Sequence, residues 1–234
     1  MVKNILIRKI TKNWKKIRLS KMKFYYELFL EEIRKFNYPP RGIKRYSINV
    51  FKLRRIEKLL MESNKLHIGC GDMRIEGFIN IDVLKTDAAD FVCKVEDLPK
   101  YIKSNSIKLI YSSHTLEHFS RYDSVQILKM FYDFLIPSGE LKISVPDLIK
   151  LVGTAKKIKS DFEEMKLIQG VLMGGQETRY NYHKSIYWYG LLERILLSTG
   201  FKKVSEYSGA PDFLGNIFDA SLVAEISLNI EAVK

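Results

Sequence analysis

KLHIGCGDMRIEGFINID, residues 65–82, contains an apolar run, two glycines one residue apart, and a second apolar run that ends in an aspartate. Glycines after a strand let the backbone bend sharply and approach a ligand that a Cβ atom would exclude. In an open parallel sheet the ligand crevice lies beyond the carboxyl ends of the strands, where an acidic residue can accept hydrogen bonds from ribose hydroxyls. Gly69, Gly71 and Asp82 therefore predict a nucleotide-type site.

The spacing of this segment argues against a dinucleotide. Arg74 stands where the third glycine of a dinucleotide fingerprint is expected. Asp82 follows Gly71 by eleven residues, whereas the ribose-binding acid of that fingerprint lies about 20 residues on. We expect a ligand that carries a single nucleoside.

Short apolar runs alternate with helical patterns from residue 65 onward, which predicts an α/β fold with a parallel sheet and helices on both faces. The predicted strands cover about 65–68, 78–82, 90–93, 107–111, 139–145, 202–207 and 218–226, and the predicted helices about 50–62, 123–135, 147–168 and 184–199. Gly139 and Gly200 are expected to end two of the helices in the left-handed conformation.

Composition indicates a folded protein, because 46% of the 234 residues are apolar and 28% are charged. Cys70 and Cys93 are the only cysteines and give no disulfide framework. The N-terminus lacks the unbroken apolar run of a signal peptide or membrane span. We expect a cytoplasmic protein with an N-terminal extension, residues 1–62, and a catalytic domain, residues 63–234.

Positive charge is concentrated in the predicted extension. Residues 1–62 hold 18 Lys and Arg against 5 Asp and Glu, whereas residues 63–234 hold 21 against 22. Apolar residues from Ile10 to Leu28 recur at spacings of three, four and seven, which predicts a basic amphipathic helix. We first expect binding to an anionic membrane surface or a partner protein. The second alternative is that the apolar stripe of this segment packs on the core or on a second subunit. RNA binding is the third, since no RNA-binding signature accompanies the charge.

The segment SSHTLEHF, residues 112–119, follows the fourth predicted strand. His114, Glu117 and His118 are spaced i, i+3 and i+4, so a helix beginning here, capped by Ser113 or Thr115, would group them on one face. They would then lie at the carboxyl edge of the sheet beside the ligand. A helix cap is the alternative role for these side chains.

These segments, together with GELKISVPD and YHKSIYWYGLLERILLSTGF, resemble the class I S-adenosylmethionine-dependent methyltransferases. Within that class the chain resembles small methyltransferase-domain proteins found with genes for surface polysaccharides. The resemblance covers about residues 64–226 and implies a Rossmann-like, mainly parallel seven-stranded sheet with an antiparallel final strand.

The resemblance implies a role for each motif in binding S-adenosylmethionine. Gly69, Cys70 and Gly71 would hold the methionine part through backbone groups, Asp82 the ribose, and Ser112 would lie along the same ligand.

Two positions depart from the family pattern. His67 stands where an acidic residue is common, and Lys94 stands where an aspartate often binds the adenine amino group. We therefore expect adenine to contact the backbone near Val95, or Glu96.

Methyl transfer to a hydroxyl requires a positioned acceptor and a group that takes its proton. His114 is the first choice for that base, since histidine titrates near neutral pH, with Glu117 to orient it or hold the acceptor. The resemblance adds His183 to this catalytic set. No metal-ligand spacing is recognisable among the histidines, so we expect a metal-independent enzyme.

The acceptor is expected to contact His118, Asp147, Arg179 and Tyr182, although Asp147 also suits a helix N-cap. Together these features indicate O-methylation of a sugar in a surface glycan or its precursor. RNA or small-molecule methylation, and a non-catalytic S-adenosylmethionine-binding module, are the alternatives, and an oligomer stays open.

Overall fold

The computed structural model describes residues 49–158, 161–215, 217–220, 223 and 225–234. The predicted basic helix before residue 49 lies outside this range. The helices are α1 (Val50–Glu62), α2 (Arg121–Phe134), α3 (Leu148–Ala155), α4 (Phe162–Met173) and α5 (Tyr189–Thr199). The strands are β1 (Lys65–Ile68), β2 (Ile79–Asp82), β3 (Phe91–Val92), β4 (Ile107–Ser113), β5 (Leu135–Pro146), β6 (Lys203–Glu206) and β7 (Ser227–Val233).

The seven strands form one sheet in the order β3, β2, β1, β4, β5, β7, β6. The pairs from β3 to β5 are parallel, and β7 runs antiparallel to both of its neighbours. The prediction of a mainly parallel, Rossmann-like seven-stranded sheet with an antiparallel final strand is confirmed. The strand order reverses direction between β1 and β4, and ligands bind at such a switch point in open sheets of this kind.

The larger hydrophobic cluster lies where α1, α2 and α5 pack on the sheet. Leu66, Ile81 and Ile110 from the strands and Ile56 and Leu192 from the helices are all fully buried in it. A smaller cluster contains no α-helical residue. It consists of Ile75, Phe78, Leu109, Tyr111 and Leu214, with Met73, Phe213 and Ile217 partly buried beside them. Loops and a 3-10 helix, Asp212–Leu214, thus cover this part of the sheet.

The last strand was predicted at 218–226, which is wrong, because the seventh strand is Ser227–Val233. Asp219 in the earlier segment is buried and accepts hydrogen bonds from Tyr111 Oη at 2.9 Å and Ser113 Oγ at 2.7 Å. These bonds hold the segment over the end of β4 instead of in the sheet.

The helix predicted at 147–168 is two helices, α3 and α4. The Asp161 side chain caps the second one by accepting from the backbone N–H groups of Glu163 and Glu164 at 2.9 and 3.1 Å. Asp147 caps the first in the same way through Ile149 N at 2.8 Å. Two separate N-caps thus start two separate helices.

Three smaller expectations also differ from the structure. The helix predicted at 184–199 begins only at Tyr189, because residue 187 still bridges to Asp147 as extended chain. After β4, the segment predicted to start a helix forms only a short 3-10 helix, Leu116–His118, without a side-chain cap. Gly139 lies inside β5, and Ser138, with φ of 63°, is the left-handed residue there; Gly200 ends α5 with φ of 121° as predicted.

Among the described residues, no helix combines the length and the apolar character that a membrane crossing requires.

Candidate functional site

A cavity of about 680 Å³ opens where the chain leaves the carboxyl ends of β1, β2, β3 and β4. Its wall includes eight of the residues that the sequence analysis selected: Gly69, Gly71, Asp82, Val95, Glu96, His114, His118 and Arg179. Residues from four separate loops thus meet at the switch point of the sheet.

The glycine turn after β1 has a left-handed backbone at both glycines. Gly69 has φ of 74° and Gly71 has φ of 52°. A Cβ atom on Gly69 would overlap the Thr115 hydroxyl, whereas one on Gly71 would meet no atom within 4 Å. The first glycine therefore permits close packing against the loop after β4, and the second leaves backbone open to the cavity.

Asp82 closes this turn from the neighbouring strand. Its Oδ2 accepts from Gly71 N at 2.9 Å, and its Oδ1 accepts from Leu84 N at 2.8 Å. The Thr86 hydroxyl donates to Gly71 O at 2.6 Å. Each carboxylate oxygen can accept more than one hydrogen bond, so Asp82 can hold the turn and still bind ligand hydroxyls.

Asn80 supports the turn from below and is fully buried. Its Oδ1 accepts from Ile75 N at 2.9 Å and lies 3.0 Å from His67 Nδ1. Its Nδ2 donates to the Ile75 and Phe78 carbonyls at 3.1 and 3.2 Å and to Asp90 at 3.0 Å. His67, at the position where an acidic residue is common, is thus part of a buried polar network, and burial lowers its pKa.

Two residues assigned to the cofactor do not reach the cavity wall. The Cys70 side chain is 3% exposed, and burial raises the pKa of its thiol to about 12. Ser112 is 2% exposed inside β4. Val95 and Glu96, expected near adenine, do line the cavity, as does Lys94.

His114 lies at the cavity wall with φ of 45° and a side chain 19% exposed. Its Nε2 is 2.9 Å from Ser227 Oγ, and that hydroxyl donates to the Ala220 carbonyl at 2.7 Å. The hydrogen-bond network therefore assigns the proton to Nε2, which leaves Nδ1 as the accepting nitrogen. Nδ1 is 3.3 Å from Glu117 Oε1.

Glu117 is a buried carboxylate, 1% exposed, behind the cavity wall. Neither of its oxygens makes a hydrogen bond within the described part of the chain. Its backbone carbonyl accepts from Lys184 N at 2.7 Å and Ser185 N at 3.2 Å, which ties the 3-10 helix to the segment before α5. A carboxylate without donors is costly to bury, so this group needs a partner.

His118 and His183 complete a histidine and glutamate cluster that we define as His114, Glu117, His118 and His183. The rings of His118 and His183 pack edge to face with centroids 4.8 Å apart. His183 Nε2 lies 3.9 Å from Glu117 Oε1. Burial lowers the pKa of His183, and the Glu117 charge opposes this effect.

The residues expected to bind the acceptor have different positions. Arg179 lines the cavity and donates to Tyr180 Oη at 2.6 Å. Tyr182 is 44% exposed, and its carbonyl lies 3.3 Å from His118 Nδ1. Asp147 is 6% exposed and serves as the N-cap of α3.

Several wall residues were not selected from the sequence. They are Asp72, Val83, Leu84, Thr86, Phe119, Asp123, Thr178, Asn181 and Lys184. Lys184 could have been predicted, because it follows His183 in the sequence. Asp123 could not, because an acidic residue in the first turn of a helix is common without any role in a site.

No protein-family model and no curated protein sequence matches the chain. Similar solved structures include S-adenosylmethionine-dependent methyltransferases. The one from Archaeoglobus fulgidus is 17% identical, with 90% of this chain and all of that chain covered and a TM-score of 0.47. The one from Mesorhizobium loti is 15% identical, with 76% and 95% covered and a TM-score of 0.47. A Listeria monocytogenes protein assigned provisionally to the same class is 19% identical, with 79% and 97% covered and a TM-score of 0.46.

Proposed function

We propose that the chain is an S-adenosylmethionine-dependent methyltransferase that methylates a sugar hydroxyl in a surface glycan or its precursor. The observation that carries this proposal is the cavity, whose wall contains Gly69, Gly71 and Asp82 together with His114 and His118 of the histidine and glutamate cluster. When bound, S-adenosylmethionine supplies a methyl group activated by a positive sulfonium.

The residues present fit this cofactor. The open backbone at Gly71 leaves space that a side chain would fill. The carboxylate of Asp82 retains accepting capacity for two ribose hydroxyls, because only one backbone N–H bonds to each oxygen. Val95 and Glu96 lie at the wall where a base attached to that ribose would extend.

The cluster would handle the acceptor's proton. His114 Nδ1 is the nitrogen left free to accept it, since Nε2 donates to Ser227. The Glu117 carboxylate, 3.3 Å from Nδ1, is placed to contact the transferred proton. Positioned bases of this kind contribute about 10²- to 10⁴-fold to rate.

A hydroxylated ring is the acceptor that the second half of the wall suits best. Arg179, Tyr180 and Asn181 provide hydrogen-bonding groups and an aromatic face in one short loop. His118 and Lys184 add polar groups opposite the glycine turn. This mixture suits a sugar, and the positive charges of Arg179 and Lys184 also suit a phosphate attached to it.

Calorimetry with S-adenosylmethionine and S-adenosylhomocysteine tests the cofactor. Nucleotide sugars, glycan fragments, RNA and small phenols are then screened for methyl transfer by mass spectrometry. Methyl transfer to a sugar supports the proposal. Transfer only to RNA or to a phenol would show that the proposed acceptor class is wrong. Binding of NAD in place of S-adenosylmethionine overturns the cofactor assignment.

Paired variants separate an enzyme from a binding module. His114→Ala and Glu117→Ala are expected to lose turnover while still binding S-adenosylmethionine, because neither side chain belongs to the glycine turn. If the wild-type chain binds the cofactor but methylates nothing in the screen, the non-catalytic module becomes the better description.

The basic N-terminal segment would place such an enzyme at an anionic membrane surface on the cytoplasmic side, near lipid-linked acceptors. Its excess of 13 positive charges over residues 1–62 supports this proposal. Sedimentation with anionic liposomes should decrease when residues 1–36 are removed. Equal sedimentation of the full and truncated chains would remove the membrane role.

A further inference from the structure

We propose that Glu117, His118 and His183 bind a divalent transition-metal cation, with Zn²⁺ as the reference ion. One ligand-type atom from each of the three residues lies within 4.8 Å of the others. We expected no metal from the sequence, because the histidines show no metal-ligand spacing. His183 comes 65 residues after His118, and only the fold brings the two rings together.

The buried carboxylate is the first independent argument for this site. Glu117 is 1% exposed, and neither oxygen has a hydrogen-bond donor among the described residues. Its oxygen is 3.3 Å from His114 Nδ1 and 3.9 Å from His183 Nε2, so ring nitrogens surround it. Buried charges in proteins are paired or coordinate metals. A cation between the carboxylate and the two rings would supply the missing partner.

The orientation of both rings is the second argument. His118 Nδ1 lies 3.3 Å from the Tyr182 carbonyl, so a proton on Nδ1 leaves Nε2 free. The ring of His183 has its Nε2 on the side of Glu117, 3.9 Å from Oε1. Metal-binding histidines usually donate their other ring N–H to a carbonyl or carboxylate in this way, which fixes the tautomer and the ring direction.

The donor set determines the class of cation. Two imidazoles and one carboxylate suit Zn²⁺ and its transition-metal neighbours, whereas Mg²⁺ and Ca²⁺ prefer oxygen ligands. Metal–ligand bonds to nitrogen and oxygen are about 2.0–2.2 Å, so binding must draw the three atoms together by about 1 Å. Three protein ligands leave open positions, and His118 lies at the cavity wall.

The role of the cation rests on the proposed function, but its binding does not. A cation at an open position beside the cavity would hold the acceptor oxygen and make its proton easier to remove. His114 is not one of the three ligands and stays available as the base. Metal binding can be measured without any methyl acceptor, so the two proposals can fail separately.

The test uses the full chain without a polyhistidine tag, after dialysis against a chelator. Zn²⁺ is titrated by calorimetry, and Co²⁺ by its visible absorption bands, which report the coordination geometry. We expect one equivalent of each metal to bind, and no comparable heat with Mg²⁺. S-adenosylhomocysteine binding is measured on the same sample.

Matched variants identify the ligands. Glu117→Gln, His118→Ala and His183→Ala should each weaken Zn²⁺ binding by at least about 100-fold, since loss of outer-shell partners alone weakens it about 10- to 100-fold. Glu164→Gln, an exposed change on α4, should bind Zn²⁺ as wild type does and controls for surface binding. Thermal unfolding without metal checks that each variant folds. Added Zn²⁺ should raise the unfolding midpoint of the wild-type protein and leave the midpoints of the three ligand variants unchanged.

Two results would overturn the site: a wild-type chain that takes up no stoichiometric Co²⁺ or Zn²⁺, or a folded Glu117→Gln variant that binds Zn²⁺ as tightly as wild type. If the metal fails while S-adenosylhomocysteine still binds, the methyltransferase proposal survives without the cation. If the metal binds and S-adenosylhomocysteine does not, the cation site stands alone.

Discussion

Replacing Asp82 by asparagine tests the site at the residue that joins the glycine turn to the cofactor. The two carboxylate oxygens accept from Gly71 N at 2.9 Å and Leu84 N at 2.8 Å. Asparagine keeps one oxygen, and its NH₂ group would face the other backbone N–H. One N–H therefore loses its acceptor, which destabilises the fold by about 1–3 kcal/mol.

The expected loss of cofactor affinity is larger than a single hydrogen bond would give. A hydrogen bond to a charged group contributes about 1.5–3 kcal/mol and a neutral one about 0.5–1.5 kcal/mol. For two ribose hydroxyls the charge is therefore worth about 2–3 kcal/mol, or about 30- to 160-fold in Kd. We expect Asp82→Asn to bind S-adenosylhomocysteine more weakly by this factor.

Calorimetry measures the affinity, and urea unfolding measures the stability of the same sample. Asp87→Asn is the matched control, because Asp87 is exposed nearby and does not line the cavity. The reasoning is refuted if Asp82→Asn is folded and binds S-adenosylhomocysteine within about threefold of wild type, a difference of less than 1 kcal/mol.

Three further substitutions test the packing around the site. Gly69→Ala and Gly77→Ala share φ values of 74° and 76°, but only the first new Cβ overlaps Thr115. Gly77→Ala should therefore destabilise by about 1–2 kcal/mol and Gly69→Ala by more; equal urea midpoints would contradict this. Asn80→Ala removes the buried amide that bonds to Ile75, Phe78 and Asp90. We expect it to lower the free energy of unfolding by about 2–4 kcal/mol, and a loss under about 0.5 kcal/mol would show that the network is not needed. Burial lowers the pKa of His67 and His183 below 6.5 in the folded chain. Below that pH the unfolded chain binds more protons than the folded chain, so the free energy of unfolding falls by up to about 1.4 kcal/mol per pH unit for each histidine. His67→Gln should flatten this fall in urea unfolding between pH 7 and 5, and an unchanged pH slope would mean that His67 does not cause it.

Local sequence signals predicted the two strands that bring the glycine turn and Asp82 together. The apolar run before Gly69 and the one ending at Asp82 became β1 and β2, because short apolar runs bounded by turn residues favour buried strands. Parallel pairing of those strands then places the turn and the carboxylate side by side. The contact between the glycine turn and Asp82 could therefore be predicted from one short segment of the sequence.

The second half depends on contacts between distant segments, which the sequence pattern does not report. Glu117 is buried because the segment before α5 closes over it through Lys184 N and Ser185 N. The predicted strand at 218–226 had the right apolar pattern, but the buried bonds to Asp219 from Tyr111 and Ser113 outweigh it. Ser112 and Cys70 were selected by motif, and only the fold shows their side chains turned into the interior.

The hydrogen bonds to Gly71 from both sides have a consequence for the pace of the proposed reaction. Its N–H is held by Asp82 and its carbonyl by Thr86 before any ligand arrives. A recess that is already shaped would bind the demethylated product almost as tightly as the donor, since both carry the same ribose hydroxyls and differ by one methyl group and the charge on the sulfur. Release of that product, and therefore competition from its accumulation in the cell, would then limit turnover more than the methyl transfer itself.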